Sequence, residues 1–190
     1  MTLADYTAMV EEVRRARGTT VEVSGRRLPS SVAEIERKLA GETDASRRQM
    51  LYSIYYRECS ELDRQDLEIE ARRREVEEFA GEPVPMVGLA IALADSQEGA
   101  GGAPEAVARA VAAAVRKGEF INYALLAQVR IALRNRSFET LESALCSLIE
   151  FHQGPPRPDC GLETDFLSSI PDGAISRTTI EEYKRAALTR

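Results

Sequence analysis

DASRRQMLYSIYYRECSELDRQDLEIEARRREVEEFA, residues 44–80, runs 37 residues without Gly or Pro. Tyr55, Leu62, Ile69 and Val76 recur at every seventh position, and Leu51 and Phe79 extend the same stripe. Apolar residues at that spacing share one face of an α-helix. The stretch therefore predicts one continuous helix of about 36 residues, on the order of 54 Å long at 1.5 Å per residue. Its apolar stripe is expected to grip a partner surface. Glu58, Gln65 and Arg72 interrupt the companion positions, so a helix of a bundle is favoured over a continuous two-stranded coiled coil. Pairs such as Glu68–Arg72 and Glu70–Arg74 sit four residues apart on the other faces, where each adds a few tenths of a kcal/mol.

Upstream, Leu3, Tyr6, Met9, Val10 and Val13 line one helical face, with Thr2 as a cap and Gly18 as a stop. Val21 and Val23 alternate with polar residues, and Ser24-Gly25 turns the chain into a short hairpin. Ser31 with Glu34 reads as a capping box that opens a second helix, ended by Gly41. Downstream, Gly81, Pro83 and Pro85 break the chain. A short apolar helix over 86–97 follows, then a loop at 98–104 with Pro104 at the next helix start. That helix runs to Lys117 and stops at Gly118. FINYALLAQVRIAL forms another to about Arg134, Ser137 caps one to about Phe151, GPPRPDCG is a linker, and Thr178 with Glu181 caps the last.

The expected fold is thus mainly α: a helical bundle with one long helix and a small N-terminal helix–β-hairpin–helix element. Its parts are 1–42, the long helix 43–80, an Ala/Leu-rich bundle 84–152, and a linker with a final helix 153–190. The 190 residues are enough to bury a sizeable core. With no Trp and few aromatics, that core must rest on Leu, Ile, Val and Ala.

The net charge of −6 opposes a generic nucleic-acid binder. Arg14, Arg15, Arg17, Arg26, Arg27, Arg47 and Arg48 nevertheless crowd the first quarter. There, eight Arg and one Lys face eight acids, and a local basic patch for DNA is an alternative. Three cysteines form no disulfide framework and predict reduced thiols in an intracellular, cytoplasmic setting. The longest apolar run, Val84 to Ala94, falls short of the roughly 20 residues a membrane span needs. No membrane association is expected.

Candidates for chemistry are few. His152 is the only histidine. Joined by Cys146, Cys160, Glu150 or Asp159, it matches no compact metal spacing. Cys146 and Cys59 read as buried, inert thiols, and Cys160 as an exposed one. Gly99–Gly102 lacks the Lys-Ser/Thr sequel of a phosphate loop. A ligand pocket between helices 86–97 and 119–134 would draw on Asn122, Tyr123, Gln128 and Arg130. No cofactor, metal or small molecule is implied, and an enzyme or ligand-binding bundle is the second alternative.

Leu3 to Ala40 also resembles the small head–tail joining proteins of tailed phages. The likeness rests on the helix ending at Gly18, Val21 and Val23 on a strand, Gly25-Arg26-Arg27 at and after the turn, and SSVAEIERKLA as helix two. The resemblance implies docking in a ring between larger partners, without catalysis and within a virion. It carries over no individual binding residue, and residues 44–190 have no counterpart in that family. The leading expectation is a non-catalytic assembly or adaptor subunit that binds a protein partner or its own copies.

Overall fold

The computed structural model describes residues 3–96, 100–153 and 164–188. Nine α-helices and one two-stranded antiparallel sheet appear among them. The chain divides into two compact units, Met1–Glu78 and Phe79–Arg190. Among the described residues, no helix is long and apolar enough to cross a membrane.

The first unit holds α1 (Leu3–Arg15), β1 (Thr20–Val23), β2 (Arg26–Pro29), α2 (Ser30–Gly41), α3 (Ala45–Glu61) and α4 (Gln65–Glu78). β1 and β2 form the expected hairpin, with Val23 opposite Arg26. Both turn residues take positive φ, Ser24 at 51° and Gly25 at 78°. This is the type I′ geometry whose twist matches the strands. The sheet packs on α2, and Leu28 is buried along with Val10 and Val13 of α1 and Val32, Ile35 and Leu39 of α2.

The single long helix is not there. α3 stops at Glu61, the chain turns, and α4 returns antiparallel along α3, with Tyr52 reaching Glu78 and Tyr56 reaching Glu75. Asp63 adopts φ 53°, the Asp63 amide bonds the Ser60 carbonyl and the Arg64 amide bonds the Cys59 carbonyl. Those two bonds are the Schellman ending normally built on Gly. Asp is one of the few other residues that tolerate this conformation. Arg64 and Asp66 then pair at 2.6 Å across the corner. The longest helix is α3, at 17 residues.

The expected stripe is accordingly split and out of register. Leu51, Tyr55 and Val76 are buried inside the protein, so none of them is available to a partner. Leu62 sits at the corner, and Leu62, Ile69 and Phe79 are half-buried. The buried positions on α4 are Leu67, Ala71, Glu75 and Val76, so the heptad at 62 and 69 does not mark its packed face. The surface gripped by α3 is this chain's own α4 and α2.

Caps follow local chemistry where the sequence is explicit. Asp44 accepts a hydrogen bond from the Arg47 amide at 2.9 Å and opens α3. The Ser31 capping box does not form. α2 begins at Ser30 behind Pro29, Ser31 is buried, and Glu34 pairs with Arg37 at 2.5 Å instead.

The second unit holds α5 (Pro83–Asp95), a 3-10 turn (Ala100–Gly102), α6 (Ala103–Lys117), α7 (Ile121–Arg134), α8 (Phe138–Gln153), a second 3-10 turn (Asp165–Ser169) and α9 (Arg177–Leu188). Pro83 and Pro85 do not precede α5 but lie in its opening turns, where the first amides need no helical partner. Consecutive helices pack on one another from α5 to α9. Buried Ala90, Ala94, Ala103, Ala110, Ala113 and Ala114 on α5 and α6 give these two helices small side chains at their buried positions. Farther along, Leu125, Val129, Leu141, Leu145, Leu148 and Tyr183 form a continuous core under α7, α8 and α9. Gly118, at φ 73°, ends α6 as expected. α9 begins at Arg177, so the Thr178 box does not form. Glu142 of α8 instead accepts from the Ser176 amide at 3.1 Å and the Thr179 hydroxyl at 2.9 Å.

Candidate functional site

The seven N-terminal arginines do not pool their charge. Arg17 binds Glu58 through two hydrogen bonds, at 2.7 and 2.5 Å, and also reaches Glu61. Arg14 lies 3.8 Å from Glu61 and Arg15 3.7 Å from Glu11. Arg26 pairs with Glu70 at 2.6 Å, Arg47 lies 3.7 Å from Glu42, and Arg48 clasps Glu78. Arg27 stands opposite Glu22 on the hairpin. Arg48 and Glu58, the partner of Arg17, are ten residues apart on α3, roughly 15 Å along its axis. Six of the seven guanidiniums lie within 4 Å of a carboxylate, and the group spans both ends of that helix. The sequence suggested one basic patch; the structure shows dispersed ion pairs.

An open cleft of about 700 Å³ in the first unit is lined by Glu36, Leu39, Arg48, Tyr52, Arg74 and Glu78. Arg48 gives two hydrogen bonds to Glu78 and further ones to the carbonyls of Leu39 and Glu42. Four of its five N–H donors are used. The same pairing holds the Glu78 carboxyl below its usual range and raises Arg48. Across the cleft Glu36 accepts from Arg74 at 2.9 Å and from the Tyr55 hydroxyl at 2.9 Å. An anion entering here would have to displace one of these carboxylates, so the cleft is a braced wall of α2, α3 and α4 rather than a receptive site.

Glu75 is the unusual acid. It is buried on α4 and accepts from the Tyr56 hydroxyl at 2.5 Å, while Arg72 covers the Tyr56 ring at 3.8 Å and pairs with Glu68 at 2.8 Å. Burial pushes its carboxyl above the ordinary range, only partly countered by Tyr56 and Arg72. A carboxyl raised on folding favours the folded state's protonated form. Its cost to stability therefore appears as pH climbs past the unfolded value, near 4.3, and is complete above the folded one. Glu75→Gln is expected to raise the melting midpoint at pH 7–8, with the gain fading toward pH 4. A lower midpoint at pH 7 would show the carboxylate to be stabilising.

The thiols and the histidine do not assemble. Burial lifts Cys59 to about 12, which leaves it protonated and inert. Cys146 is exposed on α8, contrary to the buried position expected from its leucine neighbours. Cys160 and Asp159 lie outside the described residues, as does Gly99 of the glycine-rich loop. His152 Nε2 lies 3.1 Å from Asn122 Oδ1, and Phe151 meets the ring edge-on at 5.4 Å. Among the described residues, no three His, Cys, Asp or Glu side chains come together to hold a metal. His152 also borders a shallow cleft of about 240 Å³ with Glu182 and Arg185.

The four polar residues proposed for a pocket between α5 and α7 do not converge. The two helices pack directly. Asn122 serves α8 through His152, Tyr123 and Arg130 are exposed, and Gln128 is half-buried.

What sequence reasoning missed lies at the α6–α7 corner. Val115 is 60% exposed, Phe120 53% and Tyr123 43%, three of the largest apolar side chains left in solvent. Phe120 also occupies the position before α7 with φ 57° and no side-chain cap. Ser, Asn, Asp or Gly would normally stand there. A left-handed conformation costs a non-glycine residue about 1–2 kcal/mol. The only trace of this in the sequence is an aromatic placed between Gly118 and a helix that begins without a capping residue.

No family model matches the chain, and neither a curated protein nor a solved structure resembles it closely enough to match.

Proposed function

We propose that this chain is a non-catalytic assembly or adaptor subunit that works by binding protein. The observation that carries the proposal is the α6–α7 corner, where Val115, Phe120 and Tyr123 stand in solvent and Phe120 holds a left-handed backbone conformation. A local choice that opposes both capping preference and burial marks a position kept for something other than folding. Aromatic side chains are also the residues that anchor protein interfaces.

The paired state of the arginines takes support away from duplex DNA as the partner. Each ion pair would have to open before a phosphate could be bound. The helix–hairpin–helix of residues 3–40 supports a head–tail connector as the sharpest form of the assembly reading. The test is the mass at which the chain migrates in extracts of its source cells, before and after Phe120→Ser. The expected result is a complex well above 21.0 kDa that the substitution releases. Migration as a monomer in that extract would end the proposal.

A further inference from the structure

Only three residues, 62–64, separate α3 from α4. Beyond α1, α4 and α6 the chain turns on Gly18, Gly81 and Gly118, each at positive φ, but after α3 it is Asp63 that holds the left-handed conformation, at φ 53°. That conformation is costlier for Asp than for Gly. The α7–α8 corner also turns on a non-glycine, Arg136, yet a residue of capping type, Ser137, follows it. Asp63 is followed by Arg64, and residues 44–80 contain no Gly or Pro to forbid one helix through the corner. Opening the corner would also let the last carbonyls of α3 accept from the first amides of α4, groups that a helix end leaves without helical partners. Local preference therefore favours an open corner. The docking of α4, with the Arg64–Asp66 pair at 2.6 Å, holds it shut.

That docking does not depend on which chain supplies α4. Leu67, Ala71 and Val76 are buried, and Tyr52 and Tyr56 of α3 donate to Glu78 and Glu75. Arg74 pairs with Glu36 of α2 at 2.9 Å, and Arg26 of the hairpin with Glu70 at 2.6 Å. Going beyond the α6–α7 corner to a different part of the fold, we propose that two copies of this chain exchange α4 through opened α3–α4 corners. In the exchanged dimer, α4 of each copy, with the chain that follows it, packs on α3 of the other. The Tyr56–Glu75 and Tyr52–Glu78 bonds are then made twice, between copies. The interiors of α3 and α4 keep the same neighbours in either form, so the exchange needs no new complementary surface. The contact is twofold and closed. Short hinges under strain are the ones that swap in this way. Each α4 must leave its own α3 first, so the exchange is reached through refolding.

The test is sedimentation equilibrium of the purified full chain and two variants, each refolded over a concentration series. Asp63→Ala suits a helix and opposes a left-handed corner. It is expected to raise the dimer association constant by about tenfold or more, since each dimer opens two corners. Asp63→Gly suits the closed corner and weakens the helix, and is expected to lower that constant by about as much. A dimer whose strength ignores residue 63, or an Asp63→Ala protein that stays monomeric at every concentration, would overturn the exchange. A short bis-maleimide gives a second readout, because Arg48 of α3 meets Glu78 of α4. Copies carrying Arg48→Cys are refolded with copies carrying Glu78→Cys, with Cys59, Cys146 and Cys160 replaced by Ala in both. The dimer fraction is expected to yield a covalent product with one copy of each kind, and the monomer fraction none. Dimers that yield no such product would overturn the exchange. Phe120→Ser is expected to leave the exchanged dimer intact, so failure here and failure of the assembly reading are told apart.

Discussion

Replacing Tyr183 by Ala is expected to lower the unfolding free energy by about 3–5 kcal/mol, the range for removing a large aromatic from a core. Tyr183 is fully buried on α9 and belongs to the core formed with Leu141, Leu145 and Leu148 of α8. The Phe166 ring from the preceding 3-10 turn meets it edge-on at 5.7 Å. α9 is only 12 residues long, so helix propensity alone cannot hold it. Its few apolar anchors, Tyr183 with the half-buried Ile180, must dock it. Amide exchange over residues 177–188 should therefore accelerate more than exchange in α8. A loss below about 1 kcal/mol would mean that α9 contributes little to the fold.

Replacing Arg17 by Ala is expected to cost about 3 kcal/mol in the first unit. Glu58 lies on α3 with its side chain 3% exposed, and Arg17 gives it two hydrogen bonds from the turn after α1. Without the guanidinium the carboxylate is left buried and unpaired. Its desolvation dominates the loss, because the Arg17 side chain itself is about a third exposed and its own contribution is screened. The contrast with Arg17→Leu combined with Glu58→Leu is the decisive part. Replacing both charges by apolar side chains removes the orphaned carboxylate, so the pair should recover to within about 1 kcal/mol of the parent. A double variant as unstable as Arg17→Ala would show that the ion pair itself holds α1 to α3. Guanidinium denaturation of the three proteins separates the outcomes.

Much of the fold was legible because local chemistry was unambiguous. Val21 and Val23 with Ser24-Gly25 could form little other than a tight hairpin, and Asp44 and Gly118 sit where a helix cap needs them. The α3–α4 corner was illegible for a physical reason. Asp63 takes the left-handed conformation that Gly usually supplies, so the stretch carries no breaker and the heptad of 55, 62, 69 and 76 reads straight through the turn. The Ser31 and Thr178 boxes had the right residues in the right order, yet other partners won. Glu34 turned to Arg37, and Glu142 came from another helix to cap α9. The fate of the arginines was equally out of reach, since Glu58, Glu70 and Glu78 lie 30 or more residues from the guanidiniums they neutralise. At the candidate site, Phe120 read as the first residue of an apolar helix and Tyr123 as one of four polar groups for a pocket. Only coordinates reveal that their part of the helix end faces water.

Hydrogen exchange across residues 103–123, followed as the chain passes from its dilute to its assembled state, tests where the protein meets its partner. Slower exchange in α6 and at the α6–α7 corner, with α3 and α4 unchanged, is the predicted result. Assembly that leaves residues 103–123 exchanging at the dilute rate would contradict it.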